Sequence, residues 1–182
     1  MRYRDTFSTE AKFVPIKGLA KAVGPEHTST LNTVNNLGIL YRDQGKLDEA
    51  EKMYERALAG TEKALGPDHT STLRTVSNLG NLYRDQGKLD EAEKSYERAL
   101  AGFEKALGPE HTSTLDSVHC LANLYRDQGE LDETEKMYER ALAGYEKLLG
   151  PEHSATLGTV HALHSLYYNQ AWTTHIRSVE GR

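Results

Sequence analysis

The sequence predicts an all-α chain of tandem helix-turn-helix units, and three observations carry that prediction. The chain repeats itself at an offset of 42 residues, which brings Leu31, Leu73, Leu115 and Leu157 into register. The same offset aligns Gly24-Pro25, Gly66-Pro67, Gly108-Pro109 and Gly150-Pro151, each a stop where Gly caps a helix and Pro forbids its continuation. Between stops, apolar and small residues recur at helical spacing: Val34, Leu37, Gly38 and Tyr41 before Gly45, then Ala50, Tyr54, Ala57, Leu58 and Leu65. Each repeat therefore holds two helices, A and B. The composition agrees: 27% of residues are charged and 8% aromatic, with ten Tyr against one Trp, and Ala, Leu, Glu and Lys dominate as in helical proteins with much surface.

The elements follow in order along the 182 residues. Residues 1–23 read as a degenerate N-terminal segment, in which Ile16 to Val23 align with the end of helix B and Pro15 stands at the position of Ala57. Residues 24–65, 66–107 and 108–149 are three complete units, enough for a stacked core. Residues 150–168 keep only the helix A pattern, with Val160, Leu163 and Leu166, and act as a cap. Residues 169–182 lose the register and are expected to be irregular, with Trp172 and Ile176 placed to cover the cap's open apolar side.

Several positions have a packing logic of their own. Gly38 and Gly80 on helix A, and Ala50, Ala57, Ala92 and Ala99 on helix B, permit close helix approach, with Tyr41 and Tyr54 filling the remaining space. Gly60, Gly102 and Gly144 recur inside helix B, where Gly costs about 1 kcal/mol relative to Ala, so close packing is expected there too. Thr61, Phe103 and Tyr145 share one position despite very different volumes, which predicts a partly exposed edge. Asp48-Glu49, Asp90-Glu91 and Asp132-Glu133 complement the dipole of helix B at its first turn and read as structural acids.

The order Leu37-Gly38, Tyr41, Ala50, Tyr54, Ala57 resembles the tetratricopeptide consensus. Units of that family are ordinarily 34 residues long; here the second helix is extended through Thr61-Glu-Lys-Ala-Leu65 to the Gly-Pro stop. That extension, and the wording from Thr33 to Lys52, are similar to arrays of the kinesin-light-chain type and to those behind the ATPase module of STAND/NB-ARC signalling proteins. The resemblance covers residues 24–168. It implies a solenoid, a right-handed α-α superhelix, whose concave groove receives an extended peptide. No motor, ATPase or coiled-coil segment accompanies it, so only the binding module carries over.

With Val34, Leu37, Gly38 and Tyr41 facing the core, the opposite stripe of the first helix A reads Asn32, Asn35, Asn36, Ile39, Arg42 and Asp43. The next layers read Arg74, Ser77, Asn78, Asn81, Arg84 and Asp85, then Asp116, His119, Cys120, Asn123, Arg126 and Asp127. Asn amides donate and accept, and so hold the backbone of an extended ligand; Arg42, Arg84 and Arg126 select carboxylates. An acidic peptide segment of a protein partner is therefore the expected ligand. The competing reading is a solvated face in which adjacent Arg and Asp satisfy one another. A second functional class is a structural or self-association module, a truncated piece of a longer array that sticks through its incomplete last unit.

Other chemistries lack their residues. The net charge of −5 mixes both signs, with no basic stripe for nucleic acid. No apolar stretch suits a signal peptide or membrane span, and Cys120 stands alone, which suits the reducing cytoplasm. Gly45-Lys46 and Gly87-Lys88 are followed by Leu rather than the Ser or Thr of a phosphate loop and read as turns. His27, His69, His111 and His153 recur one per repeat, too far apart to share a metal, and read as helix-start or packing residues. No metal site, cofactor or catalytic constellation is expected, and the chain is not expected to be an enzyme.

Overall fold

The computed structural model describes the backbone of residues 24–180 and the side chains of residues 24–172. The N-terminal partial helix B expected at Ile16 to Val23 lies outside the described residues, as does the side chain of Ile176. Within them the order is α1 (Thr28–Asp43), α2 (Leu47–Leu65), α3 (Thr70–Asp85), α4 (Leu89–Leu107), α5 (Thr112–Gln128), α6 (Leu131–Leu149) and α7 (Ser154–Glu180). No strand occurs among the described residues. The fold is all-α and made of helix pairs: α1, α3, α5 and α7 are A helices, and α2, α4 and α6 are B helices. The chain divides into two compact units, Met1–Leu82 and Tyr83–Arg182.

The two turn types of the repeat have separate causes. After helix A the chain reverses on Gly45, at φ +72°, with the Lys46 N–H donating to Tyr41 O at 2.9 Å and the Gly45 N–H to Arg42 O at 2.8 Å. This is a Schellman-type closure that a residue with Cβ resists. After helix B the chain turns on Gly66, at φ +93°, and the hydroxyl of Thr72 donates to Gly66 O at 2.9 Å. The same clasp ties Thr30 to Gly24, Thr114 to Gly108 and Thr156 to Gly150. Those threonines are fully buried, and the spacing of the repeat gives no sign of their role. The recurring histidines start the A helices. Nδ1 of His27, His69, His111 and His153 accepts the N–H two residues on, at 3.1 to 3.2 Å, relieving an orphan donor of the first turn.

In the first unit α1 packs on α2. Leu31, Val34, Leu37 and Tyr41 of α1 and Ala50, Tyr54 and Ala57 of α2 are all buried. Gly38 admits the ring of Tyr54, since a Cβ on it would lie 2.6 Å from that ring, and Gly60 admits Leu31 in the same way. In the second unit α4, α5, α6 and α7 pack in sequence. Ala92 and Tyr96 join Leu121 and Leu124; Ala141 and Tyr145 join Leu115 and Val118; Ala122 and Tyr138 join Leu163. Tyr54 of α2 thus fits against Gly38 of α1, and Tyr138 of α6 against Ala122 of α5.

Two expectations are corrected. Thr61, Phe103 and Tyr145 are not at an exposed edge but are 2%, 5% and 3% exposed. Two of the three find a local polar partner there: Thr61 donates to Ala57 O at 2.9 Å, and the Tyr145 hydroxyl donates to Asp116 Oδ1 at 2.6 Å. The irregular tail expected at residues 169–182 is instead the continuation of α7 to Glu180. Ala171 stands where Gly45, Gly87 and Gly129 stop the other A helices, and neither Gly nor Pro occurs from Asn169 to Glu180, so nothing ends the backbone ladder. Trp172 is 56% exposed, and Leu157 and Val160 remain 42% and 40% exposed, so the cover expected for the cap's apolar side is not provided among the described residues.

Candidate peptide-binding face

In the first unit the outward residues of α1 and α3 form a hydrogen-bonded ladder. Arg74 Nη2 donates to Asn32 Oδ1 at 3.0 Å. Asn78 Nδ2 donates to Asn35 Oδ1 at 3.0 Å, and Asn35 Nδ2 to Asn36 Oδ1 at 3.4 Å. Asn35 is 2% exposed, so it cannot present its amide to a ligand as expected from the sequence. It flanks the core face, where the neighbouring A helix covers it, and it orients Asn36 and Asn78 instead. Asn36 and Arg74 are exposed, while Asn32, Asn78 and Asn81 are half-buried. Arg42 pairs with Asp43 at 3.4 Å. Arg74 differs from the other arginines of the stripe, because a neutral amide rather than a carboxylate holds its guanidinium.

In the second unit the stripe is knitted together by charge. Asp127 lies 3.3 Å from Arg126 and 3.7 Å from Arg84, which also faces Asp85 at 4.0 Å. Arg126 Nη1 donates to the hydroxyl of Tyr138 at 3.3 Å, and that hydroxyl donates to Asn123 Oδ1 at 2.7 Å. Arg84 and Arg126 are therefore partly neutralised, and Asn123 has spent a lone pair on Tyr138. Cys120 is half-buried beside Ala92, Tyr96, Leu121 and Leu124 rather than on the polar stripe.

His119 is half-buried, with Nδ1 3.1 Å from Thr159 Oγ1 and its ring 5.3 Å from that of Tyr138. The Thr159 hydroxyl already donates to Ala155 O at 2.9 Å, so the network assigns the proton between them to Nδ1 of the neutral imidazole. Burial lowers the pKa of His119, Asp116 opposes, and Arg126 and Arg84 add to the lowering. The unfolded chain then binds this proton more readily than the folded one. Stability carried by neutral His119 is complete above the ordinary value of 6.5 and is lost as pH falls through it toward the lower folded value. Unfolding free energy measured from pH 7.5 to 5 should fall less steeply in His119→Asn, which restores the residue found at position 35; identical slopes would contradict the assignment.

No described helix is long and apolar enough to cross a membrane. Among the described residues no group of three or more His, Cys, Asp or Glu could hold a metal ion.

Comparison with known proteins is consistent with this architecture. A family model of the tetratricopeptide repeat matches residues 19–63, 29–105 and 71–119, and a second model of that repeat matches residues 114–155. Among solved structures, the fold is similar to BtubC (BKLC) from P. vanneervenii, with a TM-score of 0.73 at 22% identity. That match covers 88% of this chain and 63% of the other, so the chain spans less than two thirds of that relative. A Podosopora anserina kinesin-light-chain candidate with nearly identical TPR-like repeats gives a TM-score of 0.70 at 28% identity, over 94% of this chain and 82% of that one. A point variant of it gives 0.72 at 28% identity, over 94% and 81%. No curated protein matches the sequence.

Proposed function

The chain belongs to the tetratricopeptide-repeat family, and from that premise we propose that it is a scaffold binding an extended, acidic peptide segment of a partner protein. Members of this fold generally mediate protein-protein interaction. The observation that carries the finer reading is Arg74, an exposed cation held at 3.0 Å by the neutral Asn32. A guanidinium anchored through one edge keeps other donors for a ligand carboxylate and loses little freedom on binding it. Asn36 beside it offers an amide to the ligand backbone, with Asn35 and Asn78 setting its orientation. Asn32, Asn36, Arg74, Asn78 and Asn81 are the first unit's contact set. Arg42, Arg84, His119, Asn123 and Arg126 are secondary, since each already has a partner among the protein's own side chains. On this reading the chain acts in the cytoplasm as a non-catalytic module without a cofactor.

The test is a peptide array in which each acidic sequence is paired with its Asn and Gln counterpart. Arg74→Ala should weaken acidic peptides roughly tenfold or more, the scale of one charge-assisted hydrogen bond, and should leave the neutral counterparts nearly unchanged. Added salt should weaken the acidic set alone. Equal binding of both sets by the unmodified chain, or of acidic peptides by both proteins, would refute the acidic preference.

A further inference from the structure

All four A helices carry the sequence Leu-x-x-Val at their start, yet they bury it differently. Leu31, Leu73 and Leu115 are 2%, 1% and 2% exposed, whereas Leu157 is 42% exposed; Val34 and Val118 are fully buried, whereas Val160 is 40% exposed. In the complete repeats helix B provides the cover. Leu31 lies on Gly60 and Leu115 on Gly144, and Leu115 and Val118 cluster with Ala141 and Tyr145. For α7 no described element does this. It is held from its other side, where Leu163 meets Ala122 and Tyr138.

The repeats specify what covers such a face. A glycine receives the leucine, and the next residue, Thr61 or Tyr145, is buried beside it. Two positions on, a lysine reaches the glutamate that precedes helix A: Lys63 Nζ contacts Glu26 at 2.8 and 3.0 Å, and Lys147 contacts Glu110. One further stretch of the sequence meets the specification in the same spacing, Gly18, Leu19 and Lys21, within Ile16-Lys-Gly-Leu-Ala-Lys-Ala-Val23. The glutamate that precedes α7 in the same register is Glu152, which is exposed.

We propose that the uncovered face of α7 is an interface for a second copy of this chain, whose Pro15–Val23 stretch lies across Leu157 and Val160 in the place of a fourth helix B. Lys21 of that copy pairs with Glu152. The contact is heterologous, since the face given and the face received differ, and it leaves one of each unused on the pair. Copies therefore add head to tail.

Sedimentation equilibrium of the 182-residue chain over a concentration series tests this. The average mass of the unmodified chain should rise with concentration. Leu157→Asp and Leu19→Asp should each remain monomeric, and an equimolar mixture of the two should form dimers, because each variant keeps the half the other has lost. Leu157 is already exposed, so its substitution leaves the fold intact, which circular dichroism can verify. As an independent pair, Glu152→Lys should weaken association and the double variant Glu152→Lys with Lys21→Glu should restore it. A strictly monomeric parent chain overturns the proposal. So does association that survives Leu19→Asp but not Leu157→Asp, which would mean two α7 faces pairing with each other, and so does a mixture that stays monomeric.

Discussion

Replacing Tyr138 with Ala is expected to lower the unfolding free energy by roughly 3–5 kcal/mol, the range for truncating a buried aromatic residue. The side chain is fully buried, it packs with Ala122 and Leu163, and its ring neighbours His119. Its hydroxyl also links Asn123 to Arg126, and burial raises its pKa, followed by the opposing effect of Arg126, so it stays a neutral donor across the physiological range. Tyr138→Phe keeps the ring and isolates the hydroxyl; it should cost about 1 kcal/mol, the net worth of a typical hydrogen bond. Guanidinium unfolding of the three proteins provides the comparison. A loss below about 1 kcal/mol in Tyr138→Ala would mean that the space collapses, contrary to the close packing described here.

Leu115→Ala should cost about 2–5 kcal/mol and Leu157→Ala less than about 1 kcal/mol, although the two leucines occupy one repeat position. Leu115 is closed in by Val118, Ala141, Tyr145 and the backbone of Gly144, so its removal opens a cavity. Leu157 loses little contact because nothing described packs over it. The pair is best compared at low protein concentration, where association through α7 does not add stability to the parent chain. Equal losses would show that α7 is covered within the monomer.

Much of this architecture was legible beforehand, because its signals are local. Gly-Pro pairs marked the ends of the B helices, Gly45 and its equivalents the ends of the A helices, and the spacing of Leu, Gly, Tyr and Ala marked the buried faces. The Thr72 clasp on Gly66 O escaped notice because it bridges a turn, where no periodicity reports it. The continuation of α7 is illegible in the register for a related reason: loss of hydrophobic register is not loss of helix, which ends only where its backbone is stopped. Ala171 at a glycine position was the available signal.

The site was less legible than the fold. Helical spacing placed Asn35 beside an outward stripe, but a flanking position is buried or open according to how closely the neighbouring helix approaches. Likewise the sequence displayed Arg42, Arg84 and Arg126 as equivalent. Their differences arise from aspartates brought within a few ångströms, above all Asp127, which lies near both Arg84 and Arg126, while Arg74 is held by the amide of Asn32.

By itself, then, the sequence determined the helices, their pairing and the faces they bury, because backbone stops and apolar spacing act over a few residues and recur in every unit. Only the tertiary structure decided which polar side chains remain available and which apolar face stays uncovered. Hydrogen-bond partners and burial depend on distances between helices, and those distances are set by packing among residues about forty positions apart.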